Sequence, residues 1–163
     1  MPIFTAAFSA VAATTVAQDV FELVGSAQDR TRLRSVTLGQ SSIVLSSQAL
    51  SVAVQIIRGY DVAAAGGTAI TPRIMDSYSS RAAGATVTRL STTVASSSSA
   101  TPHVLDAGVW HAEKQQYQWS PAMERDMPTL KISERAVVRI SAPAAGITIS
   151  GTLVFEELPQ VPA

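Results

Sequence analysis

Ile147-Thr148-Ile149-Ser150-Gly151-Thr152-Leu153-Val154-Phe155 alternates with period 2, carrying Ile, Ile, Leu and Phe at odd positions and Thr, Ser and Thr at even ones before Val154. Successive side chains of a β-strand point to opposite faces, so the stretch reads as a strand with one buried and one wetter face. Working outward, the same rhythm or strand composition marks Gln18–Val24, stopped by Gly25-Ser26, and Thr31–Leu38, stopped by Gly39-Gln40. It returns in Leu50–Arg58, Ala85–Ser91, Val104–His111, Gln115–Trp119 and Arg135–Ile140, and the closing strand runs to Leu158. The loop from Gly25 to Arg30 predicts a hairpin between its flanking strands, and Trp110, Tyr117 and Trp119 predict a second, aromatic one. There is no helix of normal length and no βαβ alternation. About eight to ten short strands with turn signals between them predict an all-β protein, an antiparallel β-sandwich with jelly-roll-like character. An immunoglobulin-type core needs a Cys-Trp-Cys frame, and the chain has no cysteine.

The 163 residues fit a single domain. We divide it into residues 1–17 as an N-terminal strand or clamp-like arm, 18–158 as the sandwich, and 159–163 as an extended tail. Pro159 and Pro162 remove backbone donors from that tail. The N-terminal run has no Lys or Arg ahead of its apolar residues and is broken by Thr and Ser, so a strand is favoured over a signal peptide. No stretch reaches the ~20 apolar residues of a membrane span. Residues 41–48 read either as a loop or as one helical turn. The run from Asp61 to Ser80, with Gly66-Gly67 and Thr71-Pro72, reads as a long connection that is functional or packs on a neighbour. Ser96–Ser99 reads as an exposed, mobile loop.

Charged residues are only 15% of the chain, against about 25% in soluble domains generally. Ser, Thr and Gln stand where Lys and Glu usually keep a surface wet. Such a surface suits either subunits covered by other subunits or a merely Ser/Thr-rich exposed sheet. Net charge is zero, which argues against nucleic acid as a partner, since phosphate binding needs a basic surface. Without cysteine there is neither a disulfide frame nor a thiolate metal site.

Candidate chemistry is sparse. His103, Asp106, His111 and Glu113 fall close together but with mixed strand parity, whereas a zinc site wants three or four converging ligands. No Gly-x-Ser-x-Gly elbow marks a nucleophile, and Gly66-Gly67 lacks the Lys-Ser/Thr of a phosphate loop. Glu156 and Glu157 are adjacent, so on a strand they point to opposite faces and cannot share a proton. Glu124 and Asp126 read as loop charges beside Arg125. No catalytic residue, metal or cofactor is expected. Two surface readings remain. Arg30, Arg32 and Arg34 align on one strand face as a basic stripe, either solvated or in contact with a protein. Trp110, Tyr117 and Trp119 form either a sugar-stacking platform or a packed cross-strand cluster.

Several motifs in order carry a family resemblance. They are Ala17-Gln18-Asp19-Val20-Phe21-Glu22-Leu23, then Leu33 to Gln40, then Val54-Gln55-Ile56-Ile57-Arg58-Gly59, then Gly66-Gly67-Thr68 leading to Thr71-Pro72-Arg73. Pro121-Ala122-Met123-Glu124-Arg125 and Gly151 to Leu158 complete the set. The pattern resembles small structural proteins of tailed bacteriophages, of the capsid decoration (cement) type. The resemblance implies a non-enzymatic virion protein on the outer surface of the capsid. It also implies the major capsid protein as partner, self-association as a homotrimer, and no membrane. Under that reading Ile3, Phe4 and Phe8 of the arm and the Arg30, Arg32, Arg34 stripe contact the partner, and deleting residues 2–11 weakens capsid binding while the sandwich stays folded. The alternative is a tail or baseplate module that recognises a glycan, through Trp110, Tyr117 and Trp119, or another virion protein. The Ser- and Ala-rich middle of the chain departs from the family pattern.

Overall fold

The quoted segment forms the last strand, β12 (Ile147–Leu158), and its alternation is the burial pattern: Ile147, Ile149, Leu153 and Phe155 are each at most 1% exposed. In the computed structural model, residues 1–41, 51–76, 79–111, 115–143 and 146–159 are described. Nearly all of the 41–48 question and most of the tail lie outside those residues. Ahead of β12 come β1 (Ile3–Ala13), β2 (Gln18–Val24), β3 (Arg30–Gln40), β4 (Ser51–Tyr60), β5 (Thr68–Ile70), β6 (Arg73–Ile74), β7 (Thr86–Ser91), β8 (His103–His111), β9 (Tyr117–Trp119), β10 (Thr129–Leu130) and β11 (Arg135–Ile140). Two six-stranded antiparallel sheets pack face to face as a sandwich. Sheet A has the order β10-β3-β12-β1-β6, with β9 beside β10 along the same edge of β3; sheet B has the order β5-β7-β2-β11-β4-β8. The strands not expected from the sequence are β5, β6 and β10, each of two or three residues at a sheet edge, and the expected Gln115–Trp119 strand is β9.

Among the described residues no two consecutive strands pair with each other. Both expected hairpins are therefore absent. β2 belongs to sheet B and β3 to sheet A, so Gly25–Asp29 is an arch between sheets. Gly25 is there for close approach: its N–H donates to the Glu134 carbonyl at 2.9 Å, and a Cβ would stand 2.7 Å from the Lys131 carbonyl oxygen. β8 and β9 likewise sit in opposite sheets.

The N-terminal segment is the expected strand, but it is not an arm. β1 pairs with β12 from Ile3↔Glu156 to Ala13↔Ile147, and Phe4 and Phe8 are core residues, 0% and 8% exposed. Phe4 stacks on Phe155 with centroids 5.5 Å apart, and Phe8 tilts against Phe21 at 5.2 Å. The physical reason is size. Ala6 and Ala13 point inward and take little room, while the two phenylalanines fill the space between sheets. A bulge at Ser9 and Ala10, with Ala10 at φ 52°, twists the strand midway.

Gly151 occupies an inward position of β12 because the core leaves no room there. A Cβ would meet Phe21, Phe8 and Leu38 side-chain atoms at 2.9, 3.0 and 3.1 Å. Gly151→Ala is expected to cost about 1–3 kcal/mol through overpacking. A urea midpoint equal to that of the parent would refute this.

The long connection after β4 packs on its own domain. It bridges Val62 to Ser96 and Ala65 to Thr93, and it brings Ala64 onto a small outer cluster of Ile57, Ala95 and Val137. It then supplies β5 to sheet B and, across Thr71-Pro72, β6 to sheet A. Ser98 and Ser99 are tied down as well, because the Asp61 carboxylate accepts from both of their amides, both of their hydroxyls and the Ala100 amide. The Ser98 and Ser99 amides hold the Asp61 pKa far below the usual carboxylate range, against an opposing effect of desolvation, with the hydroxyls adding to the lowering.

Candidate interaction surfaces

The basic stripe lies on one face, as its spacing requires, and that face is the outside of sheet A. Arg30 is exposed, whereas Arg32 and Arg34 are half-buried over a carboxylate. Glu156 lies directly across from Arg32 in the β3–β12 register and has no exposed surface. Its two oxygens accept from Arg32 Nη1 at 3.0 Å and Arg34 Nη1 at 2.5 Å. Arg34 is the extra residue of a bulge between Leu33 and Ser35, and Arg32 also reaches Glu124 at 2.7 Å. Two of the three arginines are thus engaged within the chain, and Arg30 is the exposed member of the stripe.

The neighbouring carboxylate has a different task. Glu157 points the other way, accepting from the Gly84 and Ala85 amides at 2.7 Å each and from Arg81 at 3.2 Å. Arg81 also holds Asp29. Asp29, Arg81 and Gly84 border a hollow of about 300 Å³ between the Ser26–Asp29 arch and Arg81–Gly84.

Sheet B repeats the arrangement. Asp19, fully buried, takes a forked pair from Arg139, with Nε to Oδ1 at 2.7 Å and Nη2 to Oδ2 at 3.2 Å, and it accepts from the Ala95 amide at 2.6 Å. Arg139 also donates to the Tyr60 hydroxyl and to the Ala95 carbonyl, and lies 5.0 Å from the Tyr60 ring centre. Burial alone would lower the Arg139 pKa, but Asp19, helped by Tyr60, more than reverses that and raises it. Glu22 accepts from the Ala64 amide and the Thr88 hydroxyl. The Arg135 Nε lies 3.2 Å from Glu22 as a charge contact without hydrogen-bond alignment. Among the described residues all four buried acids, Asp19, Glu22, Glu156 and Glu157, therefore face an arginine.

The aromatic residues do not form a platform. Trp110 is 1% exposed, lies in the core, and donates its indole N–H to the Gln115 carbonyl at 2.7 Å. Tyr117 and Trp119 are partly buried on the opposite sheet, beside Leu38 and Val36. The Tyr117 hydroxyl donates to Asp106 at 2.7 Å; burial, reinforced by that carboxylate, raises its pKa above the usual tyrosine range. The stacking alternative loses its central ring, because a strand that alternates inward and outward turned Trp110 inward. His103 and His111 stand at opposite ends of β8, and Glu113 lies outside the described residues. Among the described residues no three His, Cys, Asp or Glu side chains converge as metal ligands.

Comparison with protein families, curated proteins and solved structures finds no match for this chain. Its internal chemistry is therefore the basis for a functional reading. Sequence reasoning missed Arg81, Arg135 and Arg139 as the partners of buried acids. The available signal was Asp19 and Glu22 set among Val20, Phe21 and Leu23, since acids in an apolar strand need a cation nearby.

Proposed function

We propose that this chain is a non-enzymatic virion structural protein of a tailed phage, a decoration (cement) protein that binds the major capsid protein on the outer surface of the head. The observation that carries this reading is the use to which the buried charges are put. Among the described residues each buried acid is engaged by an arginine that ties one strand or loop to another. Such a scaffold resists disassembly, and its buried charges serve to hold strands and loops together. The motifs behind the resemblance fit the same use. The glutamines, acids and arginines at their centres fall on β2, β3, β4 and β12, and Glu124 of the Pro121–Arg125 turn reaches back to Arg32.

Shell stabilisation requires buried area repeated over many equivalent sites rather than reactive groups, because avidity multiplies a modest contact. The test is co-sedimentation of the purified protein with expanded empty heads. Saturation at a fixed copy number, with a higher temperature of head disruption, is the expected outcome. Heads that pellet without the protein at saturating concentration would refute the reading.

A further inference from the structure

Edge strands expose unpaired backbone groups, and proteins blunt them by shortening, proline, bulges or charge. Most edges of this sandwich are blunted. β5 and β6 have three and two residues and are joined through Pro72; β9 and β10 have three and two, separated by a detour bounded by Pro121 and Pro128. Beyond β6, the edge of β1 is twisted by its bulge at Ala10. β8 differs. It runs nine residues, about 30 Å at strand rise, and pairs only with β4. No other described strand lies along its second edge. It carries no lysine, arginine or proline, and its outward Val104 and Val109 are 56% and 73% exposed. The bulge in this strand is at Leu105, near one end.

We propose that β8 is a self-association edge, pairing antiparallel with β8 of a second copy across a two-fold axis at Ala107. Such a contact is isologous: Asp106, Ala107 and Gly108 meet Gly108, Ala107 and Asp106 of the copy, and the ladder shifts on either side where the Leu105 bulge faces Val109. Two features favour a second copy as the occupant. The chain has zero net charge, so copies meet without long-range repulsion. The strand is also self-complementary about its middle residue. Asp106, its only acid, falls opposite Gly108 of the copy, which has no side chain, and it is already held by Tyr117 within its own subunit. Ala107, exposed and small, meets Ala107. Backbone bonds supply the affinity and the exposed valines the flanking contact. A single strand edge buries less than the ~1,000 Å² of a stable interface, so the pairing depends on protein concentration. This inference is independent of the capsid reading.

The test is sedimentation equilibrium across a wide concentration range, with Ala107→Lys and Ala107→Glu. The parent is expected to reach a dimer of about 34 kDa, twice 17.0 kDa. Each variant alone places like charges face to face on the axis, which destabilises a cross-strand pair, and is expected to weaken association at least tenfold. An equal mixture of the two is expected to restore it, and that rescue excludes misfolding as the cause. A parent that stays monomeric throughout overturns the proposal, as does an assembly, such as a trimer of about 51 kDa (three times 17.0 kDa), that neither variant disturbs. Neither result touches co-sedimentation with heads, and failed co-sedimentation leaves the pairing intact.

Discussion

Removal of residues 2–11 is expected to leave a chain that does not fold. These residues are most of β1, which covers one whole edge of β12 and contributes Phe4, Ala6 and Phe8 to the core. Truncating one buried phenylalanine to alanine typically costs about 3–5 kcal/mol. Losing both exceeds much of the roughly 5–15 kcal/mol by which a domain is stable at all, before the lost ladder is considered. The deletion also bares β12, the most alternating strand of the molecule, as a long apolar edge, which favours aggregation. The deleted protein should show no dispersed amide spectrum and no cooperative melt. Phe4→Ala alone should fold but melt roughly 6–20 °C lower, at about 2–4 °C per kcal/mol for a domain of this size. A deletion variant with the parent's melting temperature would restore the arm reading and overturn the packing described here.

How much of this was legible beforehand depends on the range of the interaction. The inward faces of β12, β3 and β4 followed from period 2, which is a property of the strand itself. The Arg30, Arg32, Arg34 face and the opposed Glu156 and Glu157 followed for the same reason. Sheet membership did not follow. Gly25-Ser26 says that the chain turns, and it turns equally well into an arch as into a hairpin; the difference is set by the Lys131–Glu134 turn packed against it, about a hundred residues away. The N-terminal run reads as a strand and is one, but nothing local places it within sheet A between β12 and β6 rather than reaching out as an arm. Trp110 misled because an aromatic cluster in sequence is not one in space once β8 and β9 join different sheets. The arginine partners of the buried acids were the least accessible of all. Asp19 and Arg139 are 120 positions apart, and no local pattern encodes their meeting.

That pair carries the second large effect: Arg139→Ala is expected to cost about 3–5 kcal/mol, because it strands the Asp19 carboxylate in a site with no exposure. The position of the pair explains its use. β2 and β11 are in register at Phe21↔Val138, and again at Asp19↔Arg139, with Val20 as the bulged residue between. That bulge lets Val20 and Phe21 both join the core while Asp19 and Glu22 stay outside. Nothing in the apolar pattern alone prevents the bulge from slipping by one residue, and a slip by one exchanges every face. A forked arginine–carboxylate pair next to it admits a single register. Asp19→Leu with Arg139→Met together should recover part of the loss, since replacing a buried pair by apolar residues is often near neutral. The recovery should be incomplete here, because Asp19 also satisfies the Ala95 amide and Arg139 the Ala95 carbonyl and the Tyr60 hydroxyl. The double variant should further show doubled amide resonances along β2 and β11, the mark of two registers in exchange. Denaturant midpoints of the two single variants and the double give the coupling energy directly. A cost below about 1 kcal/mol for Arg139→Ala, or a double variant with one sharp set of resonances and full stability, would mean that packing alone sets the register.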